Sequence, residues 1–89
     1  MDQHVSVRIA GEVQGVFFRA HALATAQELG IRGCVRNEPD GSVYIEAEGP
    51  HDKLEEFLEW CSRGPERARV DTCEVTEGTL MHFDDFQIR

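Results

Sequence analysis

Near the start of the chain, Val5, Val7 and Ile9 alternate with Ser6 and Arg8, the period-two pattern of a half-buried strand that ends at Gly11. A few residues later the period changes. Phe18, Ala22, Leu23, Ala26 and Leu29 form the apolar stripe of a helix. Gly30 stands where a left-handed helix cap is expected, and Ile31 can supply the apolar contact that goes with it. A strand that feeds a helix through a short loop restricts a small chain to a few architectures, and the rest of the pattern narrows them further.

Gly33 to Glu38 reads as a second strand, and Pro39-Asp40-Gly41 as a tight turn. Val43, Ile45 and Ala47 alternate with Ser42, Tyr44 and Glu46, so the two strands should pair as an antiparallel hairpin. Gly49-Pro50 ends the hairpin. A second helix presents Leu54, Phe57, Leu58 and Cys61 on one face and stops at Gly64-Pro65. A last long strand runs from about Ala68 to Thr76. Its alternation breaks phase between Val70 and the pair Cys73 and Val75, which a β-bulge near Asp71-Thr72 would reconcile. Phe86 and Ile88 flank Gln87 as a short closing edge strand. The order is strand, helix, strand, strand, helix, strand. Each helix has one apolar stripe, so both must cover the same face of the sheet. Right-handed crossovers then give an α+β, ferredoxin-like βαββαβ sandwich: an antiparallel sheet with two helices on one face. Residues 1–89 are expected to form a single domain.

Charge excludes several function classes. The net charge is −8, which disfavours nucleic acid as a partner. No stretch approaches the ~20 apolar residues of a membrane span. The first residues lack a basic segment followed by an apolar run, so a cytoplasmic location is expected. Cys34, Cys61 and Cys73 have no zinc spacing and read as reduced thiols. His4, His21, His51 and His82 are scattered and read as surface residues. His82, Asp84 and Asp85 read as a solvated loop rather than a metal cluster. No metal and no cofactor is expected, and a monomer is.

The chemistry concentrates in the loop from Gly11 to Arg19. A loop that opens a helix offers free backbone N–H groups, and the helix dipole adds partial positive charge. With Arg19 beside it, this is a cradle for a tetrahedral anion. Under the expected topology Asn37 ends its strand just before the hairpin turn, and it meets the loop only if it shares a side with Val35. Asn is neutral and cannot act as a strong base, but it can hold a water or a substrate oxygen. A site made of N–H groups, one Arg and one Asn lacks nucleophile, metal and titrating acid. It suits a reaction whose leaving group departs unaided. Hydrolysis of a mixed carboxylic–phosphoric anhydride fits, because a carboxylate with a pKa near ~4 needs no protonation. Two other classes are open: a non-catalytic ferredoxin-like interaction module, which intact Arg19 and Asn37 oppose, and an RNA-binding sheet, which the acidic charge opposes.

Gly11-x-Val13-Gln14-Gly15-Val16-x-Phe18-Arg19 resembles the first signature of the acylphosphatase family, and Gly33-Cys34-Val35-Arg36-Asn37-x-x-x-Gly41-x-Val43 resembles the second. Val70, Val75 and the closing Phe86-Gln87-Ile88-Arg89 are also similar, so the resemblance covers nearly the whole chain. It implies a ferredoxin-like fold and a hydrolase that cleaves the carboxyl–phosphate bond of small acyl phosphates to carboxylate and inorganic phosphate, without a metal. By motif, Arg19 and Asn37 would be catalytic: Arg19 would bind the phosphoryl group and Asn37 would orient the attacking water. The backbone N–H groups around Gln14, Gly15, Val16, Phe17 and Phe18 would bind substrate. The family usually carries an aromatic residue where this chain has Cys34. Alternation puts that position on the helix-free face, where loss of the ring would bear on stability or on contact with Tyr44. Glu12 places a carboxylate inside the loop segment and is expected to face solvent.

Overall fold

The computed structural model describes every residue from Met1 to Arg89. Its elements are β1 (Asp2–Glu12), α1 (Phe18–Leu29), β2 (Arg32–Asn37), β3 (Val43–Pro50), α2 (His51–Arg63), β4 (Arg69–Gly78) and β5 (Phe86–Ile88). The strands form one sheet in the order β4-β1-β3-β2-β5. The first four pair antiparallel, as the βαββαβ pattern expects. The closing strand adds one parallel pair, with Gly33, Cys34 and Val35 of β2 beside Phe86, Gln87 and Ile88.

Register explains the core. Val7 lies opposite Ile45, Val5 opposite Ala47, and Val35 opposite Ile45, so alternate residues of three strands point to the same side. There they meet Phe18, Ala22 and Ala26 of α1 and Leu54, Phe57 and Cys61 of α2. α1 ends as its sequence suggests: Gly30 takes a left-handed φ of 70°, and the Ile31 N–H donates to the Ala26 carbonyl at 2.8 Å. In α2, Asp52 in the first turn and Arg63 in the last complement the helix dipole. No helix is long and apolar enough to cross a membrane.

The expected break in β4 is present. Ala10 pairs with Thr72 and Gly11 with Val70, which leaves Asp71 without a partner opposite it. This is why Gly11 is a glycine. A Cβ there would lie 2.1 Å from the Arg69 carbonyl oxygen, and φ is 136°.

The helix-free face differs from expectation. β4 and β5 lie at opposite edges, so residues 79–85 must travel between them, and they do so across this face. Glu48 of β3 is 0 % exposed and fastens that strap. One carboxylate oxygen accepts from the Phe83 N–H at 3.0 Å; the other accepts from the Met81 N–H and from His4 Nδ1, the latter at 2.8 Å. A carboxylate only accepts, so His4 Nδ1 carries the proton. The His4 ring also stacks on Phe83, with centroids 6.2 Å apart. His4, expected at the surface, is therefore buried. Cys34 lies on the helix-free face as alternation requires, yet it is 0 % exposed. Its strand partner is Glu46, with Sγ 3.7 Å from the carboxylate, whereas Tyr44 pairs with Arg36, whose guanidinium stacks 4.5 Å from the ring centroid. Burial pushes the Cys34 thiol up, and that of Cys61 well up, so both stay protonated near neutrality.

Burial alone would raise the Glu48 carboxyl, but the bonds from the Met81 N–H, His4 and the Phe83 N–H outweigh it and hold its pKa below the ordinary value of 4.5. A depressed folded-state pKa contributes stability that is present above 4.5 and lost as pH falls through the folded value. Glu48→Ala leaves the Met81 N–H, the Phe83 N–H and His4 Nδ1 without their acceptor and should cost roughly 3 kcal/mol in denaturant unfolding at neutral pH. Glu48→Gln should flatten the loss of stability on the acid side; a slope equal to the parent's would show that this carboxylate does not control it.

Candidate active site

β1 and β2 both run antiparallel to β3 between them, so they are parallel to each other and end on the same side of the sheet. The loop after β1 and the residue that ends β2 are thereby brought together. They line one cleft of about 310 Å³, whose walls are Val13, Gly15, Phe17, Phe18, Arg19, Ala20, Asn37 and Ile88. The volume falls at the small end of the ~300–1,000 Å³ typical of ligand sites.

The loop supplies unpartnered donors. Outside helices and strands, no backbone–backbone bond uses the N–H of Gly15, Val16 or Phe17. The first bond of α1 runs from the His21 N–H to the Phe17 carbonyl, so the N–H groups of Phe18, Arg19 and Ala20 are the orphans of a helix start. No side chain caps that start, and Phe17 precedes it in a left-handed conformation, with φ 61°. A side-chain cap there would compete with any anion for the same donors.

Arg19 is exposed at the cleft. Arg8, Arg32, Arg36, Arg63 and Arg69 each lie within ion-pair distance of a carboxylate; Arg19 does not. Asn37 is on the same side as Val35, the condition for it to reach the loop. Its Oδ1 is the one buried side-chain polar atom without a hydrogen-bond partner. An acceptor left unpaired in this way costs about 1–3 kcal/mol.

Of the residues expected at the site, Gly15, Phe17, Phe18, Arg19 and Asn37 share the cleft wall. Gln14 and Val16 do not. Val16 packs against the core. The Gln14 side chain turns to the hairpin, where its Nε2 donates to the carbonyls of Glu38 at 2.8 Å and Ser42 at 2.9 Å. It ties the loop to the turn that follows Asn37. Glu12 points away, as expected: it is exposed and bonded to Arg69 at 2.9 Å. Val13, Ala20 and Ile88 are wall residues that the sequence reading did not single out. For Ile88 the signal was its alternation with Phe86, which puts it on the core side at the open end of the last strand.

A family model described as acylphosphatase matches residues 5–88. The chain belongs to the acylphosphatase family. It is 49% identical over 87 residues to an acylphosphatase of Methylococcus capsulatus, covering 97% of this chain and 95% of that one. The crystal structure of acylphosphatase from Bacillus subtilis superposes with a TM-score of 0.94 at 36% identity, covering 100% of this chain and 99% of that one. An acylphosphatase from Coxiella burnetii matches with a TM-score of 0.95 at 34% identity, covering 99% and 93%. Membership in the acylphosphatase family, with the shared fold, makes the chain a hydrolase of acyl phosphates, with inorganic phosphate as a product.

Gln14→Ala removes both bonds to the hairpin turn and should lower stability by about 1–2 kcal/mol. Because the loop loses its anchor, inorganic phosphate should also bind more weakly in a titration followed by amide chemical shifts. Unchanged phosphate binding would show that the loop holds its shape without Gln14.

Proposed function

We propose that residues 1–89 act as one unit, a monomer, that hydrolyses small acyl phosphates by in-line attack of water, with no metal or cofactor and no nucleic-acid or membrane partner. The observation that carries this reading is the unpartnered Asn37 amide oxygen in a wall shared with the free N–H row and Arg19.

The phosphoryl oxygens accept from the N–H groups of the Gly15–Arg19 stretch, and the Arg19 guanidinium neutralises them. These fixed dipoles need no reorganisation as charge develops on the transferring group. Asn37 holds a water through its amide and sets the direction of approach, which is a contribution of positioning. The bond from water oxygen to phosphorus forms as the bond from phosphorus to the acyl oxygen breaks. The leaving carboxylate takes that electron pair and stays unprotonated. Both protons of the water finish on inorganic phosphate. A loose transition state asks little of a base, so a neutral amide suffices. The absence of a metal follows from the leaving group: with a parent acid pKa near ~4, the carboxylate needs no Lewis acid to depart.

Phosphate release from a small acyl phosphate should persist in excess chelator; its loss would show that a metal takes part. Arg19→Ala should raise KM and lower kcat, with kcat/KM falling about 10²–10³-fold. Asn37→Ala should act mainly on kcat, since water placement matters only in the transition state; near-parental turnover would remove Asn37 from this role. Inorganic phosphate should inhibit competitively, and an uncompetitive pattern would contradict the cradle.

A further inference from the structure

Arg8 belongs to β1, ahead of the loop and outside the cleft wall. Glu74 of β4 lies opposite it in the sheet, yet its ion pair is with the hairpin turn between β2 and β3. There Nη1 donates to the Ser42 hydroxyl oxygen at 3.0 Å and to Asp40 Oδ2 at 3.3 Å. Within the turn, Asp40 and Ser42 close on each other. Asp40 Oδ1 accepts from the Ser42 N–H at 2.9 Å and from the Ser42 hydroxyl at 2.6 Å. A hydroxyl has one proton, and this one goes to Asp40, so toward Arg8 the oxygen is an acceptor. The bonds from the Ser42 hydroxyl and N–H hold the Asp40 carboxyl below its ordinary value of 3.8, and the clamp is therefore complete near neutrality.

The clamp leads to Asn37. Ser42 is buried, and its carbonyl accepts from the Glu38 N–H at 2.8 Å and from Gln14 Nε2 at 2.9 Å. Asn37 makes the last pair of β2 with β3, opposite Val43, and Glu38 follows it directly. The backbone behind Asn37 is thus fixed to Ser42, and Ser42 is fixed by its hydroxyl to Arg8 and by its carbonyl to Gln14. β1 holds the turn from one side and the loop holds it from the other. Both members of the Arg8–Asp40 pair are exposed, and such pairs add little to stability. What the set of bonds does is restrict where Ser42, and with it the end of β2, can sit.

On the reading of Asn37 as the residue that orients the attacking water, we infer that Arg8 and Asp40 are positioning residues for that step: their clamp on Ser42 fixes the backbone behind Asn37 and thereby the direction in which its amide holds the water. Neither residue touches the cradle or the substrate. Their contribution is geometric, and geometry is steep in its effect on rate, since a displacement of about 1 Å can cost on the order of 10²-fold. The buried Oδ1 of Asn37 gives the clamp its purpose. With no protein partner of its own, that oxygen takes its position from the backbone that carries it.

Arg8→Ala and Asp40→Asn, assayed with acetyl phosphate, test this. Each should lower kcat on the order of tenfold, while the inhibition constant of inorganic phosphate, which reads the cradle alone, stays where it was. Arg8→Lys keeps a donor for the turn and should recover part of the loss. The double variant should lose no more than either single one, because the two residues act through one clamp. In an Asn37→Ala background, Arg8→Ala should change kcat no further. Both side chains are exposed, so the unfolding midpoint should stay close to the parent's. Parental kcat in Arg8→Ala would overturn the positioning role and leave Asn37 in its own. So would a raised phosphate inhibition constant in place of a lower kcat, a further loss in the Asn37→Ala background, or a loss of kcat that only tracks a loss of folded protein. Near-parental turnover of Asn37→Ala itself would overturn the reading of Asn37 and this inference with it.

Discussion

The position of β3 between β1 and β2 decides where everything else goes. Because β3 runs antiparallel to both neighbours, β1 and β2 must end on the same side of the sheet. The loop from Gly11 to Arg19 follows one of those ends and Asn37 sits at the other. β5, parallel to β2, brings Ile88 to the same place. The free loop N–H groups, the unpartnered amide oxygen of Asn37 and the exposed side chain of Ile88 thus come from three separate stretches of sequence. Each needs only to stand at the open end of its own strand. Gln14 then links two of the stretches directly, through the carbonyls of Glu38 and Ser42.

On the proposed mechanism, the site is economical because its chemistry is undemanding. A leaving group stable as an anion removes the need for a general acid, and a loose transition state removes most of the need for a base. What remains is holding and orienting, which backbone N–H groups do at no side-chain entropy cost. The buried Oδ1 of Asn37, without a hydrogen-bond partner in the protein, is unfavourable for folding. Stability for a domain of this size must be recovered elsewhere, and part of it comes from the far side of the sheet. There Glu48 satisfies three donors at once and fastens residues 79–85 over His4.

Periodicity made the fold legible. Val5, Val7 and Ile9, the stripe from Phe18 to Leu29, and the Pro39-Asp40-Gly41 turn each carry a local rule, and consecutive elements agreed with one topology. Even the bulge showed in sequence, as the phase break between Val70 and Cys73. The strap did not show, because its bonds join the side chain of Glu48 to backbone groups 33 and 35 residues later, and no local period records such a contact. The same holds for His4: alternation placed it away from the core, and only the returning chain buries it. At the site, the glycine-bounded loop, Arg19 and Asn37 were visible through residue type and resemblance. Gln14 read as part of the substrate loop because its spacing is that of the signature, yet its side-chain bonds run to a turn 24 and 28 residues away.

Glu12 shows how one irregularity protects the site. A carboxylate one residue before Val13 lies close enough in sequence to oppose a phosphoryl group, and an anion cradle in a chain of net charge −8 tolerates little further negative potential. The bulge at Asp71 changes the register so that Gly11 meets Val70 and Glu12 meets Arg69. Arg69 then reaches Glu12 at 2.9 Å while holding Asp71 at 3.0 Å. Both pairs are exposed, and such pairs add little to stability. Their effect is directional: the Glu12 carboxylate is neutralised on the β4 side of the sheet, away from Arg19. Gly11 makes this possible, since only a residue without a Cβ lets the Arg69 carbonyl approach so closely. On the proposed reading, the first glycine of the loop therefore contributes to anion binding without touching the anion. It admits the bulge, the bulge sets Arg69 opposite Glu12, and Arg69 pairs with the carboxylate nearest the loop.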